Sequence, residues 1–220
     1  MSDELIDIFN SDYVHLGTSL KSEAHKKGLW HRVFTGILVN PQYKTIYLQK
    51  KTCGKYPFER PDYMDISVGG HYLAGEKISD GIREIKEEVG LDIAFKDLIP
   101  LGIRQTSADI SPEYKNNEFQ HLFIIPSRYI LNDYELNSSE VRGLVEIPIE
   151  KGLALLNGEI NDLQVNAIFK EADKKVIIEN FSITSNDFVP AYLKKDELMK
   201  RLFIAALRFT QGEKKELIYW

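Results

Sequence analysis

The sequence predicts a protein of the α+β class, with a mixed sheet packed between helices. Three observations support this prediction. Short apolar runs, such as residues 4–9 and 118–126, are typical of strands. Two other segments, 82–89 and 195–209, repeat apolar residues with the spacing of an α-helix. Glycines, prolines and polar clusters separate these patterns at short intervals, as turns and loops do.

Residues 1–28 are predicted to form an N-terminal hairpin extension. Segments 4–9 (ELIDIF) and 13–20 (YVHLGTSL) are strand patterns on either side of the turn signal Asn10-Ser11-Asp12. The charged connector 21–27, which can be helical, ends at Gly28.

Residues 29–159 are predicted to form the core of the protein. Segments 50–64 and 107–117 are polar or contain prolines and glycines, and are predicted to be loops. The remaining patterns of the core, besides the helix at 82–89, are strands at 33–39, 45–49, 65–68, 93–98, 101–106, 118–126 and 140–148 and a helix at 149–156.

Residues 160–220 form a C-terminal extension of what we predict to be one domain, 1–220. The extension contains a hairpin pattern around Asp173-Lys174, a strand pattern at 176–180 and the final helix at 195–209. The apolar stripe of that helix consists of Leu198, Leu202, Ala205, Ala206 and Phe209. Because either the core or a second subunit must cover this stripe, we predict a homodimer, with burial in the core as the alternative.

The composition excludes several classes of protein. Hydrophobic residues make up 43% and charged residues 28%, which is ordinary for a soluble globular protein. A net charge of −5 without a basic stripe argues against a general nucleic-acid binder. The single cysteine, Cys53, excludes a disulfide framework and fits a reducing compartment. The acidic N-terminus does not resemble a signal peptide and no apolar run reaches membrane-spanning length, so we expect a cytoplasmic protein.

The most informative stretch is 69–91, GGHYLAGEKISDGIREIKEEVGL. Its residues Glu84, Glu87 and Glu88 are spaced i, i+3 and i+4, which places three carboxylates on one face of a helix. Each like-charged pair at this spacing costs about 0.2–0.5 kcal/mol, so the cluster predicts more than a structural role. Oxygen ligands of this kind suit a hard divalent cation, Mg²⁺ or Mn²⁺. The alternative is a solvated acidic helix after a glycine-rich turn.

This stretch resembles the Nudix box, G-x5-E-x7-R-E-U-x-E-E-x-G-U, where U is an aliphatic residue. The spacing departs from the pattern in one place, because six residues rather than seven separate Glu76 from Arg83. The sequence therefore does not determine whether these two side chains meet. The positions that match are Gly70, Glu76, Arg83, Glu84, Ile85, Glu87, Glu88, Gly90 and Leu91.

The resemblance implies an α/β/α sandwich and Mg²⁺-dependent hydrolysis of a phosphoanhydride bond. The substrate would be a small molecule, a nucleoside diphosphate linked to another group, and the sequence does not identify that group. The metal ligands would be the three glutamates of the acidic face and, by family analogy, the Gly70 carbonyl. Arg83 would orient Glu84 and its neighbours, and either Glu87 or Glu118 would act as general base.

Segments 28–32 (GLWHR), 45–51 (TIYLQKK) and 65–71 (DISVGGH) resemble the Nudix branch nearest to type 1 isopentenyl-diphosphate isomerase. In that branch, histidines at places matching His31 and His71, with one upstream near His25, bind a second kind of metal site. The alternative is that these histidines are simply polar groups beside the pocket.

Two alternatives to hydrolysis follow from the family. An isomerase-like enzyme needs a cysteine directly before the Gly-His pair, where this chain has Gly69. A non-catalytic nucleotide-binding module would be expected to lose some of the box glutamates, and this chain keeps them all. The sequence therefore favours a hydrolase.

Overall fold

The computed structural model describes residues 3–52, 62–137, 139–171, 174–194 and 196–220. Its strands are β1 Leu5–Phe9, β2 His15–Leu20, β3 Trp30–Asn40, β4 Thr45–Lys51, β5 Met64–Asp65, β6 Val68–His71, β7 Ile99–Ser111, β8 Tyr114–Pro126, β9 Val141–Pro148, β10 Leu163–Glu171 and β11 Lys174–Ile183. Its helices are α1 Lys21–Lys27, α2 Ile82–Val89, α3 Ile149–Leu156 and α4 Leu198–Thr210. None of these described helices is long and apolar enough to cross a membrane. The predicted α+β class is confirmed.

Strand β3 is the centre of the sheet. One side of β3 pairs in parallel with β8, and β8 pairs antiparallel with β7. The other side is shared by β1, β6 and β4, all antiparallel to β3. The sheet then continues from β4 through β9 and β10 to β11, while β2 extends it beyond β1. The sheet is therefore mixed, as predicted.

Helices cover both faces of this sheet. Because side chains alternate along a strand, Phe34 and Leu38 of β3 face one way, into an apolar cluster with Ile85 of α2. Ile37 of β3 faces the other way, into a cluster with α3 and α4 that includes Phe203. The layers form the α/β/α sandwich that the sequence predicts.

The apolar stripe of α4 lies within this second cluster. Its residues Leu198, Leu202, Ala205 and Ala206 are at most 1% exposed, and Phe209 packs against the same cluster. The core therefore covers the stripe, and these contacts do not support a homodimer. The homodimer stays a prediction.

The segment 107–117 is not a loop, contrary to the prediction. β7 and β8 continue through it as one long antiparallel hairpin with its turn at residues 112–113. Polar side chains stabilise the pairing across the strands, as where the Ser107 hydroxyl donates to Asn117 Oδ1 at 2.6 Å. The polar residues, such as Ser107 and Asp109, alternate with Ala108 and Ile110, which line the cavity, so the polar composition belongs to the face away from the cavity.

Two other local predictions need correction. Residues 93–98 are not a strand, because the segment contains a short 3₁₀ turn at Phe95–Asp97 and is otherwise irregular. Residues 65–68 are divided between β5 and β6, so Gly69 and Gly70 lie inside a strand rather than in a loop. Cys53, Asp173 and Lys195, which the sequence analysis singles out, lie outside the described residues.

We expect buried His121 on β8 to make the stability of the protein depend on pH. Its Nε2 lies 2.7 Å from the Tyr13 hydroxyl, and burial, together with nearby Arg32, lowers its pKa to about 4. In the unfolded chain the pKa of a histidine is near 6.5. Between pH 6.5 and 4, His121 is therefore protonated in the unfolded state but neutral in the folded state. The stabilising contribution of neutral His121 is present above pH 6.5 and is lost as the pH falls toward 4.

Denaturant unfolding in EDTA at several pH values measures this effect. Over the range from pH 6.5 to 4, the unfolding midpoint of the wild type should fall more steeply than that of His121→Gln. Parallel pH profiles for the two proteins would contradict the assignment.

Candidate active site

A cavity of about 650 Å³ lies between β6, α2, the β7–β8 hairpin and α1. This volume falls within the range of about 300–1,000 Å³ that is common for small-molecule sites. Most of the predicted site residues line it, namely Gly70, Arg83, Glu84, Glu87 and Glu118. The remaining one, Glu88, is fully buried beneath the cavity surface.

Arg83, in the first turn of α2, holds three carboxylates in place. Its Nε lies 3.2 Å from Glu76 Oε1, its Nη1 2.8 Å from Glu87 Oε2 and its Nη2 3.0 Å from Glu84 Oε1. The contact with Glu76, which the sequence leaves open, is therefore made. Residues 78–81 form a 3₁₀ turn that runs directly into α2. Because a 3₁₀ helix rises about 2.0 Å per residue, against about 1.5 Å in an α-helix, six residues can span what otherwise takes seven.

Glu84 is buried against the backbone of β6. A Cβ added to Gly70 would lie 2.1–2.4 Å from the carboxylate atoms of Glu84, so only glycine leaves room for this side chain. Burial raises the pKa of Glu84 to about 7, although Arg83 opposes the rise. A further cation next to this buried carboxylate would stabilise its charged form.

Glu88 lies behind Glu84 on the same helix. The Gly69 N–H donates to its Oε2 at 3.0 Å, and the ammonium group of Lys51 on β4 lies 3.4 Å from its Oε1. Burial raises the pKa of Glu88, and Lys51 opposes that rise. Each carboxylate oxygen has two lone pairs, so these contacts leave Glu88 able to bind a metal ion.

Among the described residues, three histidines, and not these three carboxylates, bring their ligand atoms together. The acidic face still carries oxygen ligands of the kind that a hard divalent cation takes. It offers oxygen ligands from Glu84, Glu87 and Glu88. Because Gly70 has no side chain, the Glu84 carboxylate can lie directly against β6. These residues, with the Gly70 carbonyl as the further ligand, would hold Mg²⁺ or Mn²⁺.

Glu118 reaches the same cavity from the opposite wall. On β8 it is opposite Thr106 of β7 and His31 of β3. The side chain is buried, which raises its pKa, and it accepts a hydrogen bond from Gln120 Nε2 at 2.8 Å. Both candidates for the general base, Glu87 and Glu118, thus line one cavity.

Three histidines form a second cluster beside the carboxylates. His25, His31 and His71 each offer a ring nitrogen, and these nitrogens all lie within 4.8 Å of one another. His31 Nδ1 is 2.8 Å from the Leu29 carbonyl, which can only accept, so Nδ1 carries the proton. The bare Nε2 of His31 is buried and has no hydrogen-bond partner among the described residues.

The electrostatics of this cluster favour metal binding. His25 Nδ1 is 3.2 Å from the Lys115 carbonyl, which leaves its Nε2 facing His71 Nε2 at 3.1 Å. Burial lowers the pKa of His25 and His31 to about 4 and that of His71 well below its usual value. Neutral imidazoles anchored on backbone carbonyls are typical ligands of Zn²⁺ and related transition metals. Without a metal, the buried Nε2 of His31 would remain unpaired at a cost of about 1–3 kcal/mol.

Titration with Co²⁺ tests this cluster, because bound Co²⁺ has visible absorption bands. We expect the metal-free wild type to bind Co²⁺ and His31→Gln to bind it at least about 10-fold more weakly. His121→Gln is the matched control, since His121 is also buried but lies outside the cluster. Equal Co²⁺ affinity in all three proteins would contradict the site.

Comparison with known proteins decides the family. No protein-family model matches the chain. An uncharacterized Nudix hydrolase of Clostridium acetobutylicum is 30% identical over 190 residues, which cover 86% of this chain and 92% of the relative. The chain belongs to the Nudix hydrolase family.

Two further similarities concern the fold and the isomerase branch. A crystal structure from Deinococcus radiodurans shares the fold, with a TM-score of 0.52 and 23% identity over 70% of this chain and 90% of that one. Isopentenyl-diphosphate Delta-isomerase 2 of Photorhabdus laumondii is 28% identical over 123 residues, 56% of this chain and 66% of its own length. The predicted likeness of this Nudix hydrolase to the isomerase branch is thus also found.

Several cavity residues carry no sequence signal. Lys51 reaches Glu88 from 37 positions earlier in the chain, and Arg104 and Tyr192 enter the cavity from β7 and from the segment before α4. Their positions follow from strand pairing and chain packing, which no local motif records.

Proposed function

We propose that this Nudix hydrolase catalyses the Mg²⁺-dependent hydrolysis of a phosphoanhydride bond in a nucleoside diphosphate linked to another group. The observation that carries the proposal is the convergence of Glu84, Glu87, Arg83 and Glu118 on one cavity, with Gly70 making room for the buried carboxylate. Such a cavity combines a site for a hard cation with carboxylates that can accept a proton.

Bound Mg²⁺ would offset charge on the phosphate oxygens and lower the pKa of a bound water. Arg83 would keep Glu84 and Glu87 in place through its three carboxylate contacts. Glu118 is the better candidate for the general base, because it is buried and pairs with no guanidinium group among the described residues, whereas Glu87 pairs with Arg83 at 2.8 Å. Glu87 would then serve as a metal ligand.

An isomerase-like activity is the second candidate, because the histidine cluster is present. The cavity argues against it, since position 69 is glycine and its N–H holds Glu88. A non-catalytic module is disfavoured because the acidic face and its arginine support are complete.

A substrate panel tests the proposal. Purified protein is incubated with dinucleotides, sugar nucleotides, nucleoside triphosphates and thiamine diphosphate derivatives, each with Mg²⁺ or with EDTA. We expect nucleoside monophosphate or phosphate release from at least one compound, abolished by EDTA. Release that is insensitive to chelation, or a wild type inactive on the whole panel, would count against the proposal.

We keep three accompanying proposals. The chain works as one Nudix domain, it acts in the cytoplasm, and it forms a homodimer that uses part of the C-terminal extension. Light scattering at micromolar concentration tests the last of these.

A further inference from the structure

A row of polar side chains runs from the start of α4 to Glu118. The Asp196 carboxylate accepts two hydrogen bonds from Arg104, from Nε at 2.6 Å and from Nη2 at 3.2 Å. Arg104 Nη1 donates to Gln120 Oε1 at 2.8 Å, and Gln120 Nε2 donates to Glu118 Oε2 at 2.8 Å. Arg104, Gln120 and Glu118 are all buried.

The direction of these bonds is fixed by chemistry. A guanidinium can only donate, so Arg104 determines which end of the Gln120 amide faces it. The amide oxygen must point to Arg104, and the NH₂ group must then point to Glu118. Asp196 engages the other two nitrogens of the fork, which leaves Nη1 for Gln120.

The fold places these four residues in register. Arg104 and Gln120 are directly opposite each other on β7 and β8, and Glu118 is two residues along β8 on the same face. Asp196 lies two residues before α4, whose apolar face is buried in the core. The C-terminal extension thus anchors one end of the row.

We propose that Arg104 and Gln120, anchored by Asp196, are positioning residues for Glu118, and that the C-terminal extension thereby takes part in catalysis. Gln120 occupies one carboxylate oxygen of Glu118 and leaves the other for the reaction. Arg104 also supplies the positive charge that partly opposes the effect of burial on Glu118. The role of Glu118 as a base rests on the proposed function.

The kinetic test uses the panel substrate that the wild type cleaves best. Gln120→Met keeps the side-chain volume but removes both hydrogen bonds, and Asp196→Asn weakens the anchor. We expect kcat to fall about 10–100-fold in Gln120→Met and less in Asp196→Asn, with KM within about twofold. Glu197→Gln is the matched control, because Glu197 is the next residue, exposed, and in a loose 3.8 Å pair with Lys200. A rise in KM with unchanged kcat would overturn the proposal, since it would mean direct substrate binding.

A second test does not depend on activity. The unfolding midpoints of Asp196→Asn, Glu118→Gln and the double variant form a cycle in metal-free protein. If the row couples Asp196 to Glu118, the unfolding midpoint of the double variant falls by less than the sum of the decreases in the two single variants. Additive decreases in the unfolding midpoint would overturn the proposal, even if the wild type cleaves nothing in the panel. Non-additive decreases in a protein that cleaves nothing would reject only the proposed function.

Discussion

Glu87→Gln is expected to lower kcat by about 100-fold, because Glu87 would be a metal ligand, while leaving the protein folded. Glu87 lies on the acidic face with 49% of its side chain exposed, so the substitution leaves no buried polar group unpaired. Losing one of three neighbouring negative charges relieves repulsion, and the exposed pair with Arg83 contributes little to stability. Turnover of the best panel substrate and the unfolding midpoint are the two measurements.

Glu23→Gln is the control for this substitution. Glu23 is 41% exposed and pairs with Lys27 at 2.9 Å in the same i,i+4 arrangement, but it does not line the cavity. It should keep the wild-type rate. A fully active Glu87→Gln, or one that unfolds, would contradict the role of the acidic face.

Gly70→Ala is expected to have the second large effect, a loss of at least about 100-fold in kcat and about 10–100-fold weaker Mg²⁺ binding. The added methyl would occupy the place of the Glu84 carboxylate, only 2.1–2.4 Å from its atoms. Because a carboxylate at the end of a flexible side chain can swing away, the fold should survive. Calorimetric titration with Mg²⁺ and a turnover assay measure the two losses.

Gly69→Ala is the comparison for this second substitution. Its added methyl would meet the end of the Ile66 side chain at 2.7 Å, not a carboxylate. The loss of metal affinity should therefore be smaller. If Gly70→Ala binds Mg²⁺ as tightly as the wild type, the Glu84 carboxylate is not part of the metal site.

The sequence predicts those parts of the site that local periodicity determines. Glu84, Glu87 and Glu88 share a face because a helix repeats every 3.6 residues, and the i,i+4 spacing brings Arg83 next to Glu87. The helix itself is predictable because apolar Ile85 and Val89 face the sheet and Gly90 ends it in the left-handed region.

Long-range packing determines the rest. The contacts of Lys51 with Glu88 and of Arg104 with Asp196 join residues 37 and 92 positions apart. The histidine cluster depends on α1, β3 and β6 meeting at one end of the sheet. The sequence of the β7–β8 hairpin is typical of a loop because the side chains that alternate with the cavity-facing Ala108, Ile110 and Tyr114 are polar or charged, so no apolar run marks the strands.

The central claim is that water attacks phosphorus in a metal-dependent reaction, and turnover in ¹⁸O-labelled water tests it most directly. The best panel substrate and isopentenyl diphosphate are incubated in parallel with Mg²⁺, and the masses of the products are measured by mass spectrometry. We predict one solvent oxygen per turnover in a phosphate group of the cleaved substrate, none in EDTA, and unchanged isopentenyl diphosphate. Conversion of isopentenyl diphosphate to its allylic isomer, with no solvent oxygen in any phosphate product, would contradict the account.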